Sequence, residues 1–127
     1  MLELTDPVDP RFVREFQEST LAQPIPPTFL DTVVQESRKL PARVWRSVWH
    51  DFADVDHSDE LAQVKAPTLV TWGDRDSVFG RDEQEAIVAA VPDARLLVYA
   101  GAGHGTHWEE PERFASDLVA FVRAVVD

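Results

Sequence analysis

Two segments of this 127-residue chain carry side chains able to do acid–base chemistry. Gly73-Asp74-Arg75-Asp76 holds two carboxylates, and Gly101-Ala102-Gly103-His104-Gly105-Thr106-His107-Trp108-Glu109 holds two imidazoles. An aspartate facing a histidine fixes the imidazole tautomer and stabilises the imidazolium, while the imidazole takes and returns a proton. Such a pair is two-thirds of a nucleophile–His–acid triad. Asp76 and His104 lie 28 positions apart, so only tertiary structure can join them. Asp74 is the rival acid, read as a turn residue or an ion-pair partner of Arg75. His104 and His107 also form a His-x-x-His spacing near Glu109 and Glu110, which raises zinc. Zinc pairs of that kind usually sit at i, i+4 on a helix, whereas this spacing is i+3 in a glycine loop. No metal and no other cofactor is expected, and His107 is expected to pack with Trp108 near a pocket mouth.

Both segments follow β-rich runs. Thr68-Leu69-Val70-Thr71-Trp72 comes after Pro67 and before a glycine turn, and Arg95-Leu96-Leu97-Val98-Tyr99 is the second run. Near-continuous apolar strands suit a parallel sheet covered on both faces. The stretch Asp82 to Val91 predicts the crossover helix, with Ala86, Ile87, Ala90 and Val91 inward. A last helix is predicted from about Pro111 to Val126, with Phe114, Leu118, Phe121, Val122 and Val125 on one stripe. Loops at the carboxyl ends of neighbouring parallel strands lie side by side, which is where open α/β sheets collect functional groups. Asp76 facing His104 is thus a geometric expectation.

All five glycines fall between 73 and 105, and the first 65 residues read as helices with proline joints. Asp9-Pro10 opens the first, with Phe12, Val13 and Phe16 on one face. Thr28 is the expected cap of the second, carrying Phe29, Leu30, Val33 and Val34. Pro41 starts the third, with Val44, Trp45, Val48, Trp49 and Phe52 as a broad apolar face. Residues 53–65 read as an acidic loop with one turn from Asp59 to Gln63. Trp45 and Trp49 either line a substrate pocket or bury core surface, the commoner use of aromatic pairs at this spacing. His50 and His57 are expected at the surface.

Residues 66–127, through Pro67-Thr68-Leu69-Val70-Thr71-Trp72-Gly73-Asp74-Arg75-Asp76, Val91-Pro92-Asp93-Ala94-Arg95, Gly101-Ala102-Gly103-His104 and Glu110-Pro111-Glu112-Arg113-Phe114, resemble the C-terminal end of the α/β-hydrolase fold superfamily. Residues 1–65 resemble, more weakly, the helical cap that such enzymes insert. The resemblance implies an α/β class with a partial hydrolase fold: a helical cap over 1–65, then a βαβα part of the core over 66–127. It also implies Asp76 as triad acid and His104 as general base, with Trp45, Trp49, His107 and Trp108 as substrate contacts. Family order is nucleophile, acid, histidine. However, these 127 residues contain no Gly-x-Ser-x-Gly elbow or aspartate version of it, and no His-Gly loop upstream of Gly73. The expectation is a cap-plus-core portion of a hydrolase of ester-like small molecules, inactive by itself. The alternative is a non-catalytic remnant, or an interaction module that completes its sheet with a partner chain.

Composition sets the outer bounds. Hydrophobic residues make up 44% and charged ones 28%, which is globular. Acids exceed bases 23 to 12, and the surplus is shared by both halves. With no basic cluster to displace phosphate counterions, neither nucleic acid nor an anionic membrane surface is an expected partner. Zero cysteines exclude disulfides, thiolate metal sites and a cysteine nucleophile. No apolar run approaches a membrane span and no signal peptide is evident, so a cytoplasmic location is expected. The partner expected is a small-molecule substrate, once an N-terminal half completes the fold. An unpaired edge at the 68–72 strand also predicts self-association.

Overall fold

The computed structural model describes residues 4–54 and 56–126. They fall into two compact units, one running to Ser19 and resuming over Ile25–Asp56, the other made of Thr20–Pro24 and everything from His57 onward. This division differs from the expected one at residue 65. A five-residue segment between the first two helices joins the second unit, held there by its own backbone hydrogen bonds.

The first unit contains α1 (Pro10–Ser19), α2 (Pro27–Ser37) and α3 (Ala42–Asp54). Asp9 caps α1 as its position predicts, its Oδ1 accepting the Arg11 amide at 2.8 Å. The expected cap at Thr28 is not used: Pro26 precedes a helix that begins on Pro27, and Thr28 lies in its first turn. Proline's fixed φ starts the helix with no side-chain cap bond. Asp6 caps α3, accepting the Ala42 amide at 2.6 Å. Val13, Leu30, Val34 and Trp45 form the buried core. Phe12 and Phe16 meet Trp45 edge-on, with ring centroids 5.8 and 5.5 Å away. Two expected stripes are narrower than their spacing suggests. Phe29 of α2 and Val48 and Trp49 of α3 are exposed, because Leu30 with Val34 and Ala42 with Trp45 already fill the inward positions one turn apart. The Phe52 side chain lies outside the described residues.

The second unit opens with a 3₁₀ turn (Ser58–Gln63), close to the expected turn, and then builds β1 (Thr68–Gly73), α4 (Arg81–Ala90), β2 (Ala94–Tyr99), α5 (Thr106–Glu109) and α6 (Pro111–Val126). The two strands pair in parallel, Thr68 opposite Ala94 through Gly73 opposite Tyr99. The fold is α/β, and the short α5 is the element that periodicity did not predict. In α4 the inward residues are Gln84, Ile87, Val88 and Ala90 with Val91 beyond, while Ala86 faces solvent. α6 presents Phe114, Asp117 and Phe121 inward and leaves Leu118, Val122 and Val125 exposed, so the expected stripe is turned by about one position. A polar bond sets that rotation: the buried Tyr99 hydroxyl donates to Asp117 Oδ2 at 2.7 Å. Arg113 lies 4.0 Å over the same ring and donates to the Val98 carbonyl at 3.0 Å. No described helix is long and apolar enough to cross a membrane.

Candidate active site

The turn after β1 and the loop after β2 are stitched together by backbone. Asp74 N–H donates to the Tyr99 carbonyl at 3.1 Å and Arg75 N–H to the Ala102 carbonyl at 2.9 Å. Asp74 Oδ1 accepts the Gly101 amide at 2.6 Å, so Asp74 serves the turn. Gly73 is required by this proximity: a Cβ there would lie 2.2 Å from both the Ala102 and Gly103 carbonyl oxygens. Gly101 sits at φ +84°, a left-handed conformation that glycine adopts without steric cost.

The stitching delivers Asp76 to His104. Asp76 Oδ2 lies 2.9 Å from His104 Nδ1. The other oxygen, Oδ1, accepts the Val78 and Phe79 amides at 2.7 and 3.2 Å. This is an Asx-type turn, in which a short carboxylate captures amides two and three residues on. The carboxylate is 4% exposed and the imidazole 41%. A carboxylate at Nδ1 selects the tautomer with its proton there, so Nδ1–H donates to Asp76 and Nε2 keeps a free lone pair. Chemically, such a ring can accept a proton at Nε2 while Asp76 offsets the charge that forms. Phe79 flanks it, ring centroids 5.5 Å apart, and is itself fixed by Trp72 Nε1–H donating to its carbonyl at 3.0 Å.

The other sequence-derived candidates fall in both units. His107 rests against Trp108 and Phe114, with ring centroids 5.1 and 5.7 Å away. Partial burial, aided by the neighbouring His104, pushes its pKa below the ordinary 6.5. Trp45 is 8% exposed within the aromatic cluster of the first unit, whereas Trp49 is 42% exposed and touches Phe16 at 6.0 Å. His50 and His57 are exposed, beside Asp51 and Glu60. Among the described residues no group of three or more His, Asp or Glu is arranged to hold a metal. Sequence reasoning missed the Val78 and Phe79 amides on Asp76. The signal was present as an aspartate opening the turn Asp76-Ser77-Val78-Phe79.

A model of the alpha/beta hydrolase fold aligns with residues 9–111. The chain belongs to the α/β-hydrolase fold family. Among its relatives, a 2-hydroxy-6-oxo-6-phenylhexa-2,4-dienoate hydrolase of Burkholderia cepacia is 34% identical over 88 residues, which are 69% of this chain and 27% of that protein. A 2-hydroxy-6-oxononadienedioate/2-hydroxy-6-oxononatrienedioate hydrolase of Comamonas testosteroni shares 34% identity over the same shares of each chain. An esterase from Exiguobacterium antarcticum superposes with a TM-score of 0.82 at 24% identity, over 90% of this chain and 42% of the esterase. A bromoperoxidase from Bacillus anthracis gives 0.81 at 18% identity, over 90% and 44%. The α/β-hydrolase chain thus spans about a quarter of the length of these curated relatives.

Proposed function

We propose that this chain supplies the acid and the general base of a hydrolase, with Asp76 orienting His104 and His104 moving the proton. The single observation that carries the reading is the 2.9 Å Asp76–His104 contact, made by a carboxylate already held by two amides. His104 Nε2 takes the hydroxyl proton of a nucleophile as that oxygen attacks a carbonyl carbon, then returns the proton to the leaving group. The nucleophile belongs to an elbow motif that these 127 residues do not contain. The substrate class is an ester-like small molecule, or a 2-hydroxy-6-oxo-dienoate of the kind named for the relatives, both of which offer a carbonyl for attack. Trp45 and Trp49, the latter with an exposed ring, are the candidate substrate contacts of the first unit, and His107 and Trp108 those of the second.

Turnover of an activated aryl ester and of 2-hydroxy-6-oxo-6-phenylhexa-2,4-dienoate tests this reading. The 127-residue chain alone is expected to give no triad-dependent turnover with either. Joined to a segment bearing Gly-x-Ser-x-Gly, it is expected to turn over, and His104→Ala to abolish the rate. An acyl-enzyme burst from the lone chain that disappears in His104→Ala would identify a nucleophile within it and overturn the division of labour.

A second reading, an interaction module that completes its sheet with a partner chain, is favoured by one observation. The described sheet has only two strands, and α6 exposes Leu118, Val119, Val122 and Val125. Recovery of the chain with a stoichiometric protein partner distinguishes it.

A further inference from the structure

His104 is a half-exposed ring with one hydrogen bond to Asp76, so its aim depends on how firmly its own backbone is held. That backbone is tied at two successive amides. His104 N–H donates to the Thr20 carbonyl at 2.9 Å. Gly103 N–H is directed between the two oxygens of Glu109, 3.0 Å from each. The same carboxylate accepts the Ala22 and Gln23 amides through Oε2 at 3.1 and 2.7 Å. Three backbone donors from two segments about eighty positions apart thus converge on one side chain. The packing leaves no slack, since a Cβ at Gly103 would lie 2.6 Å from the Ala22 nitrogen and 2.9 Å from Glu109 Oε1.

We propose that Glu109 is a positioning residue for His104, locking the Gly103–His104 peptide against Thr20–Gln23 so that Nδ1 stays on Asp76. The inference rests on the Asp76–His104 pair of the proposed function. Charge-assisted bonds from amides to a carboxylate are roughly twice as strong as neutral ones. A glutamine offers only one acceptor oxygen and turns its NH₂ toward amide donors. Releasing the peptide by about 1 Å would carry a 2.9 Å contact out of hydrogen-bonding range.

Nitrogen-15 NMR of the imidazoles in the 127-residue chain, at a pH where they are neutral, reads the tautomer directly. The unsubstituted chain is expected to show His104 as the single Nδ1–H form, and Asp76→Asn to lose it. Glu109→Gln is expected to convert that single form into a mixture in a chain whose far-ultraviolet circular dichroism still matches that of the unsubstituted chain. A folded Glu109→Gln chain that keeps the pure Nδ1–H form overturns the positioning role, because a structural brace would lower only the melting temperature. A tautomer unmoved by Asp76→Asn overturns the pair itself and the inference with it. Amide exchange in the unsubstituted chain gives a readout free of folding defects: Ala22, Gln23 and Gly103 should be protected together, and fast exchange at all three overturns the clamp.

Discussion

Asp74 and Asp76 are two residues apart in one turn, yet the structure gives them opposite tasks. Asp74 accepts the Gly101 amide, whereas Asp76 faces His104. In a chain completed with a nucleophile, Asp76→Asn is therefore expected to cut kcat by about 10³–10⁴, the cost of selecting the wrong tautomer. Asp74→Asn should lower turnover far less and act mainly on stability, and equal losses in kcat would reverse the assignment. His107 adds a pH signature. Its folded pKa lies below the ordinary 6.5, so the neutral ring is the form that folding favours. The stabilisation is complete above pH 6.5 and is lost as pH falls through the folded value. Replacing His107 by Phe keeps a ring against Trp108 and Phe114 but removes the titration. Between neutral and mildly acid pH the melting temperature of the unsubstituted chain should fall faster than that of His107→Phe, and equal slopes would refute the linkage.

The elements that hold these residues depend on a few close approaches. β1 ends on Gly73, where the histidine loop crosses with no room for a methyl group. Gly73→Ala meets backbone oxygens, which cannot rotate away, and should cost about 1–3 kcal/mol as an overpacking change. Urea unfolding measures that loss, and an unchanged midpoint would mean the loops are not in contact. The join between β2 and α6 is polar. Tyr99 is fully buried, and burial with the Asp117 contact raises its pKa to about 12. The phenol's contribution is intact below pH 10.0 and disappears as pH rises through about 12. Tyr99→Phe should cost about 1.5–3 kcal/mol, the range for a hydrogen bond to a charged group, and should flatten this alkaline loss.

At the scale of the whole chain, the described sheet is too small to cover itself. β1 pairs with β2 alone, and no residue of β1 before Trp72 is fully buried. Beside the sheet a groove of about 300 Å³ lies between Leu69, Leu96, Leu97 and the Phe121 side of α6. Two-stranded sheets are marginal in water, and an unpaired edge templates association. The 127-residue chain is expected to self-associate at micromolar concentration in sedimentation velocity, with a broad thermal transition. A sharply cooperative monomer would refute this.

Periodicity and turn chemistry determined a good deal. The two strands, the helix between them, the strand-end loops that carry Asp76 and His104 and the Asp9-Pro10 helix start are local features, and local sequence encodes them. Helix rotation was another matter. Leu118, Val122 and Val125 look like a core stripe, but the Tyr99–Asp117 bond turns Phe114, Asp117 and Phe121 inward instead. By residue type Asp76 and Asp74 are alike, both aspartates of one turn; the family resemblance singled out Asp76, and the tertiary structure puts its carboxylate against His104 and that of Asp74 on the Gly101 amide. Least legible was the joining of Thr20–Pro24 to the second unit through Glu109, because residues more than eighty positions apart leave no periodic trace. Propensity and spacing act over a few residues. The pairing of a backbone amide with a distant carboxylate is decided only when burial removes water as its partner.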